Sequence, residues 1–287
     1  MNIEFALQDA TERMQKAGIE DASREASILM AWSIGITNTE MLGIRRSDCL
    51  SEEGLKKFEL CILQRVQKRP VSQIITSREF YNSRFFVDSR VLDPRPESEV
   101  LVDKAVDFLR RRSGKWDNCN ILDLGVGSGA LLISVLREIP FACGLGVDIS
   151  QDALSVAKIN VDAFCMSDRI KLSLGNWLDG ITNKFVVLMC NPPYIDSAEF
   201  EHLSDEVRVW EPAIALMPHD GDGLSVYKEL APRIGSIMED DGIALFETPI
   251  KYERPVADLF IELGYVVDTL KDIEGITRGV CVHRGSA

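Results

Sequence analysis

The stretch NPPYID follows the apolar run KFVVLMC, and its residue types could hold a planar nitrogen. Consecutive prolines cannot donate backbone hydrogen bonds, so a strand that enters Pro192 and Pro193 must end there. The ending presents an amide at Asn191 and an aromatic ring at Tyr194. An amide oxygen and a backbone carbonyl can accept both hydrogens of a planar amine, and a ring can lie against it. The motif predicts a substrate site formed by Asn191, Pro192, Pro193 and Tyr194, with Asn191, Pro192 and Tyr194 as catalytic candidates.

A second candidate site is the glycine-rich stretch LDLGVGSGA, at a point where an apolar run gives way to a helical pattern. Gly125, Gly127 and Gly129 let the backbone turn sharply and approach a ligand closely. Asp148 ends the next apolar run, and an acid at this place can accept hydrogen bonds from both hydroxyls of a ribose. The alternatives are a purely structural turn and, for Asp148, a residue that only introduces a helix. Ser150, however, is already a good N-cap.

Both motifs need a framework that brings them together. From Asn120 onward, short apolar runs alternate with helical segments such as ALLISVLREI, QDALSVAKINVDAF and GLSVYKELAPRIGSIM, which predicts a parallel sheet covered by helices on both faces. The last two runs, YVVDTL and GVCVHR, are too close for a long connecting helix and are expected to pair antiparallel. Ligands in such sheets sit beyond the carboxyl ends of the strands. The glycine loop, Asp148 and the NPPY motif should therefore border one pocket.

The residues before this framework read differently. Apolar residues at helical spacing predict helices that end at Gly18, extend from about 22 to 34, and end before Pro70. An aromatic-rich run centred on Asn82-Ser83 predicts a hairpin. We therefore expect three parts: a helical domain at 1–75, a hairpin linker at 76–95, and an α/β domain at 96–287.

Composition limits the function classes. The 287 residues are 46% apolar and 27% charged with a net charge of −13, which is typical of a globular protein and argues against specific or nonspecific binding of nucleic acid. The N-terminus lacks the basic segment and following apolar segment of a signal peptide, so none is expected. No apolar run reaches the ~18 residues of a membrane span. The seven cysteines form no C-x-x-C pair and the three histidines show no ligand spacing, so no metal site is expected. We expect a cytoplasmic monomer without membrane contact.

The glycine loop also resembles a known cofactor site. Its form G-x-G-x-G, preceded by Asp123, is similar to the loop with which class I methyltransferases bind S-adenosylmethionine. The resemblance implies that Asp123 faces the ammonium of the cofactor, directly or through water; the alternative is an acid that caps loop amides. NPPY resembles the signature of methyltransferases that modify planar nitrogens. That signature alone permits adenine, cytosine or a protein glutamine as acceptor.

The whole chain resembles the HemK/PrmC family of protein glutamine methyltransferases. The resemblance rests on RPVSQIITSREFYNSRFFVDSRVLDPRPESEVLV, ILDLGVGSGA, GVDIS, NPPYI, EPAIAL, DGLSVYK and KDIEGITRGV. It implies a Rossmann-like seven-stranded α/β sheet, mostly parallel with the last strand antiparallel, and a small all-helical N-terminal domain joined by a hairpin. The implied acceptor is the glutamine of the Gly-Gly-Gln motif of peptide chain release factors. The implied cofactor-binding residues are Asp123, Gly125, Val126, Gly127, Ser128, Gly129, Asp148, Asn176, Trp177 and Asn191.

Three positions depart from the family pattern. Asn176 stands where the family commonly has Asp, Pro249 where it has Gly, and Ser98 where it has Thr, which keeps the hydroxyl.

The family resemblance implies that Trp177 would lie by the adenine, although a core tryptophan is the alternative. Three other functions stay open: methylation of a ribosomal-protein glutamine, methylation of adenine in nucleic acid, and cofactor binding without catalysis.

Overall fold

The structure, a computed structural model, describes residues 1–112 and 119–285. The chain divides into two units. One consists of Met1–Ser77 with Ser204–Trp210, and the other of Arg78–Leu203 with Glu211–Ala287.

The first unit is helical. Its apolar faces meet in one core that includes Met14, Leu29, Phe58 and Ile62. The predicted helices are present, and two short ones that the sequence reading did not contain lie between and after them. The helices within Met1–Ser77 are α1 Ile3–Lys16, α2 Ala22–Ile34, α3 Asn38–Gly43, α4 Glu52–Val66 and α5 Val71–Ile74.

Residues 204–210 belong to this helical unit although they are distant in sequence. Trp210 donates from its ring nitrogen to the carbonyl of Gln67 at 3.1 Å, and Gln73 donates to the Trp210 carbonyl at 2.9 Å. Arg65, which is buried, pairs with Glu25 and with Glu206. Because an unpaired buried arginine is costly, its pairing with Glu206 holds the segment against α4.

The second unit opens with the predicted hairpin, β1 Arg78–Phe80 and β2 Ser83–Phe85. Its turn falls on Tyr81 and Asn82, both with positive φ, one residue before the expected centre. Ser83 pairs with Phe80, so it belongs to the second strand rather than to the turn.

A seven-stranded sheet forms the centre of this unit, in the order β5-β4-β3-β6-β7-β9-β8. All pairings from β5 to β7 are parallel, and β9 runs antiparallel between β7 and β8. The predicted fold class, including the antiparallel last strand, is confirmed. The strands are β3 Asn120–Leu124, β4 Cys143–Asp148, β5 Ile170–Leu174, β6 Phe185–Cys190, β7 Met238–Glu247, β8 Val266–Lys271 and β9 Thr277–His283.

Helices pack on both faces of this sheet, around two separate apolar clusters. One prediction is wrong in detail: GLSVYKELAPRIGSIM forms two helices rather than one. Pro232, which has no backbone N–H, lies between them. The helices from residue 96 onward are α6 Glu99–Arg111, α7 Ala130–Glu138, α8 Gln151–Ala163, α9 Ser197–Phe200, α10 Asp205–Arg208, α11 Ala213–Leu216, α12 Ser225–Leu230, α13 Ile234–Ile237 and α14 Glu253–Ile261, with 3₁₀ turns at Pro96–Ser98 and Ile250–Tyr252. Of these, α10 belongs to the helical unit. Over residues 1–112 and 119–285, no helix has the length and apolarity to cross a bilayer.

Candidate active site

The glycine loop connects the end of β3 to the start of α7. Gly125, Gly127 and Gly129 all have positive φ, at 73°, 52° and 81°, a conformation that side chains rarely adopt. The amide of Gly125 donates to the carbonyl of Val147 in β4 at 2.9 Å. From α8, the Asn160 side chain donates to the Ser128 carbonyl at 2.8 Å. The neighbouring strand and helix therefore set the path of the loop.

Asp148 lies at the end of β4, beside this loop. One of its carboxylate oxygens accepts from the Gly127 amide and the other from the Ser150 amide, each at 2.9 Å. Burial raises the pKa of Asp148, and these amides oppose the rise. Ser150 itself caps α8 by accepting from Ala153. Each carboxylate oxygen keeps a further lone pair that can accept a hydroxyl.

Asp123 lies inside β3, one residue before the strand ends. The residue is 1% exposed, and neither carboxylate oxygen makes a hydrogen bond of good geometry with the part of the chain described here. Burial raises the pKa of Asp123 to about 8; the backbone amide of Leu132 lowers it, and the charge of Asp148 raises it further. Burying a carboxylate without a partner is costly, which is why burial favours the protonated form of Asp123.

The NPPY motif begins where β6 ends. Every residue of β6 is buried, and Asn191 emerges half-buried. The side-chain nitrogen of Asn191 donates to the hydroxyl of Ser98 at 3.2 Å. Tyr194 donates its hydroxyl to Glu247 at 3.1 Å, and burial beside this carboxyl raises the pKa of the phenol.

One cavity of about 810 Å³ joins the two motifs. It lies at the carboxyl ends of the parallel strands, where ligands bind in open α/β sheets. The predicted site residues that line it are Gly125, Val126, Gly127, Ser128, Asp148, Asn176, Trp177, Asn191 and Pro193. The predicted site residues outside its lining are Asp123, Gly129, Pro192 and Tyr194. Asp123 is sealed within β3, and the Tyr194 ring packs against the core cluster that holds β6 and β7.

Trp177 lies between the cavity and the core. It lines the cavity and also packs against the same core cluster as Tyr194. Its backbone has a positive φ of 49°, and a β-carbon on Gly125 would lie 3.6 Å from its ring. A β-carbon here would only touch the ring, so it is the positive φ of Gly125, not lack of space, that favours glycine. Asn176, the preceding residue, is exposed at the cavity wall.

A buried ion pair stands at the edge of the cavity. Arg95 donates to both carboxylate oxygens of Glu211 at 2.7 Å, and Glu211 is 5% exposed. Burial raises the pKa of Glu211 to about 7, which the charge of Arg95 opposes. Since Pro212 and Ala213 line the cavity, the pair ties that wall to the loop before Pro96–Ser98.

Glu247, Glu211 and Arg95 carry no motif in the sequence that predicts a role for them, and Ser98 stands out there only as a difference from the family pattern. A signal for Glu247 was present: an acid directly follows the apolar run IALF. The parallel register pairs Cys190 of β6 with Phe246 of β7, so Asn191 and Glu247 follow paired residues. A carboxyl at the end of a buried strand beside a polar motif is a candidate partner of that motif.

Comparisons with known families match both units. Residues 6–75 match the PrmC N-terminal domain, and residues 98–224 match the Methyltransferase small domain. The release factor glutamine methyltransferase of Cereibacter sphaeroides is 35% identical over 98% of this chain and 98% of that protein. That of Caulobacter vibrioides is 36% identical over 94% and 92%. A bifunctional methyltransferase of Rickettsia conorii is 34% identical; the match covers 96% of this chain but 57% of that longer protein.

Solved structures agree on the fold. The hMettl16 catalytic domain, in complex with the MAT2A 3'UTR hairpin 6, has a TM-score of 0.55 at 14% identity, covering 86% of both chains. The N-terminal domain of human METTL16 with SAH has a TM-score of 0.50 at 15% identity, covering 71% of this chain and 76% of that one. The sheet order and the matched methyltransferase domain define a methyltransferase of the Rossmann-like α/β class. Because it is 35% and 36% identical to the Cereibacter and Caulobacter proteins over nearly its full length, the chain belongs to the release factor glutamine methyltransferase family.

Proposed function

We propose that this protein transfers a methyl group from S-adenosylmethionine to the side-chain nitrogen of the glutamine in the Gly-Gly-Gln motif of peptide chain release factors. One observation carries the proposal. The glycine loop, Asp148 and Asn191, three features of the sequence with separate chemical roles, line a single cavity. Its volume of about 810 Å³ is in the range of small-molecule and cofactor sites.

The residues on the cofactor side fit S-adenosylmethionine, which supplies a methyl group on a positively charged sulfur. Asp148 has lone pairs left for the two ribose hydroxyls, and its backbone bonds hold it beside the loop. Asn176 and Trp177 are available at the cavity wall for the adenine. Asp123 has no partner of good geometry within residues 1–112 and 119–285, as expected of a carboxyl that meets the cofactor ammonium through water.

The NPPY residues fit a planar amide acceptor. An amide nitrogen is a poor nucleophile because its lone pair is delocalised. Asn191 Oδ1 and a backbone carbonyl of the motif accept hydrogen bonds from the two N–H groups of the substrate amide. These bonds direct the amide nitrogen at the methyl group. Pro192 and Pro193 hold this geometry, and near-attack placement supplies a large part of catalysis. Bound beside this amide, the cofactor would supply its methyl group from the sulfonium sulfur, and the methylated nitrogen would release its extra proton to water.

We assign different tasks to the parts of the chain. Residues 1–75 recognise the release factor, residues 76–95 form a hairpin linker, and residues 96–287 carry the methyltransferase chemistry; of the last, 113–118 and 286–287 lie outside the described residues. A glutamine peptide alone buries too little area for specificity, because stable interfaces usually bury more than about 1,000 Å². A translation-termination substrate implies a cytoplasmic enzyme, and the proposal needs only a monomer.

The test is methyl transfer from labelled S-adenosylmethionine to a purified release factor, followed by mapping of the labelled residue. The matched control is the same release factor with the Gly-Gly-Gln glutamine changed to asparagine, which we expect to take no label. Ribosomal proteins and adenine-containing oligonucleotides serve as alternative acceptors in parallel. Label on either of these, with none on the release factor, would overturn the proposal.

A further inference from the structure

Glu247 is a carboxyl at the end of β7 whose two oxygens both contact other side chains. The residue is 4% exposed. The Ser98 hydroxyl donates to one oxygen, and the Tyr194 hydroxyl donates to the other at 3.1 Å. The Tyr227 hydroxyl donates to the backbone carbonyl of Glu247 at 2.6 Å, which fixes the strand end itself. A single buried carboxylate thus connects the segment around Ser98 to the NPPY motif.

The Ser98 hydroxyl decides which way this chain of hydrogen bonds runs. A hydroxyl has one hydrogen, and an ionised carboxylate can only accept. Once Ser98 donates to Glu247, its oxygen can only accept from the side chain of Asn191, 3.2 Å away. The NH₂ group of Asn191 must then face Ser98. Its carbonyl oxygen, Oδ1, is left to accept from another donor.

We propose that Glu247, acting through Ser98, is a positioning residue that fixes the Asn191 amide with Oδ1 toward the acceptor nitrogen. The inference rests on the function proposed above. An Asn191 amide turned by 180° would present N–H groups to the N–H groups of the substrate and would repel them. Through Tyr194, the same carboxylate also holds the other end of the motif.

The ionisation state of Glu247 determines the direction of these hydrogen bonds. If Glu247 is protonated, its own O–H can donate to Ser98, and the serine hydrogen becomes free to bond Asn191 Oδ1. The opposite amide orientation is then equally well paired. The direction of the chain therefore depends on an ionised Glu247.

Several groups around Glu247 influence its ionisation. Burial raises its pKa to about 7, the hydrogen bonds from Ser98 and Tyr194 lower it, the charge of Glu97 raises it, and that of Arg95 lowers it. Tyr227 and Cys190 also face this carboxyl, but burial raises the pKa of both, so they stay neutral near pH 7.

The experiment measures kcat and KM for methylation of a release factor, and the cofactor dissociation constant, in the full-length protein. We expect Ser98→Ala and Glu247→Gln each to lower kcat about 10–100-fold, the usual loss when a partner that orients a functional group is removed. Cofactor affinity should stay within about twofold. Ser98→Thr keeps the hydroxyl and should recover most of kcat. Ser134→Ala is the matched control, because Ser134 is buried in α7 and its hydroxyl makes no hydrogen bond with residues that the structure describes.

Two further readouts separate positioning from mere support of the fold. The double variant Ser98→Ala/Glu247→Gln should be no slower than the worse single variant, because both residues act through one chain of bonds. The kcat of the wild type should fall as pH drops through about 7, the pKa of Glu247, and Glu247→Gln should lose this dependence.

The proposal would be overturned by wild-type kcat in Ser98→Ala and Glu247→Gln, by additive losses in the double variant, or by an unchanged acid limb in Glu247→Gln. If Glu247→Gln does not fold, Ser98→Ala against Ser98→Thr and Ser134→Ala decides alone. These outcomes leave the proposed function intact as long as the wild type methylates the release factor. A wild type that does not methylate it would overturn the proposed function, and this proposal with it.

Discussion

The two halves of the cavity are held by different kinds of hydrogen bond. In the glycine-loop half, formed by residues 125–129 and Asp148, backbone amides donate to a backbone carbonyl and to a carboxylate. In the NPPY half, Asn191, Pro193 and Ser98 line the cavity, Tyr194 and Glu247 lie behind them, and side chains bond to side chains. Backbone-held geometry survives most substitutions, whereas a side-chain network fails when one member is lost. We therefore expect the NPPY half to be the more sensitive to mutation and to pH.

The largest expected effect is in the NPPY half. Asn191→Ala removes the amide that orients the acceptor nitrogen, and losing aligned transition-state hydrogen bonds costs on the order of 3 kcal/mol, about a hundredfold in kcat. Cofactor affinity should change by only a small factor. Steady-state kinetics with release factor and calorimetry with cofactor measure the two quantities.

Asn183→Ala is the matched control for this variant, because Asn183 is an exposed asparagine shortly before β6. It should leave kcat and cofactor affinity at their wild-type values. Near-normal turnover in Asn191→Ala would remove Asn191 from the mechanism. A large loss of cofactor affinity would show instead that the two halves are not separable.

The next effect is the reverse one, in the glycine-loop half. Asp148→Ala should mainly raise the cofactor dissociation constant, because a hydrogen bond to a charged group contributes roughly 1.5–3 kcal/mol and two ribose hydroxyls are involved. Asp148→Asn keeps one acceptor and should lie between Asp148→Ala and the wild type. Asp152→Ala, in the first turn of α8, removes an exposed acid as the control. Unchanged affinity in Asp148→Ala would mean that the ribose binds elsewhere.

The same difference explains what the sequence could and could not predict. The glycine-loop half is local: Gly125 to Gly129 and Asp148 follow successive apolar runs, and parallel strand order brings them together. The NPPY half depends on side chains that are distant in sequence: Ser98 and Glu247 are 149 residues apart, and Tyr194 and Glu247 are 53 residues apart. They meet only in the folded chain. The turn residues Asn82-Ser83 predicted the position of the hairpin turn to within one residue. Pro232 was visible in the sequence, but its splitting of one predicted helix was not taken into account.

Asp123 provides a smaller test, on stability. Its pKa is raised to about 8 from an ordinary value of 3.8, so between these values the folded protein holds a proton that the unfolded chain has lost. The free energy of unfolding must then fall as pH rises through this window. Asp123→Asn removes the dependence, and its unfolding free energy relative to the wild type should increase from pH 5.5 to pH 8.5. Urea denaturation at pH 5.5, 7 and 8.5 measures this difference.

Glu247 and Glu211, whose pKa values are raised to about 7, also lower the free energy of unfolding as pH rises. Both residues are present in the wild type and in Asp123→Asn. Their contributions therefore cancel in the comparison. A difference between Asp123→Asn and the wild type that does not change with pH would show that the Asp123 pKa is not raised. In that case a buried partner, such as an ordered water, must stabilise the carboxylate.

The smallest expected effect links Asp123 to the cofactor. If the cofactor ammonium lies near this carboxyl, binding must lower the pKa of Asp123 from about 8 and release part of a proton at pH 7. Calorimetry in two buffers of different ionisation enthalpy counts that proton, and Asp123→Asn should abolish the release. S-adenosylhomocysteine keeps the ammonium and should behave like S-adenosylmethionine. Methylthioadenosine keeps the adenine and the ribose but lacks the amino acid moiety and its ammonium, so any proton that it still releases belongs to Asp148 or another group. Equal release by all three ligands would separate Asp123 from the ammonium and would leave the glycine-loop half with Asp148 as its single charged contact to the cofactor.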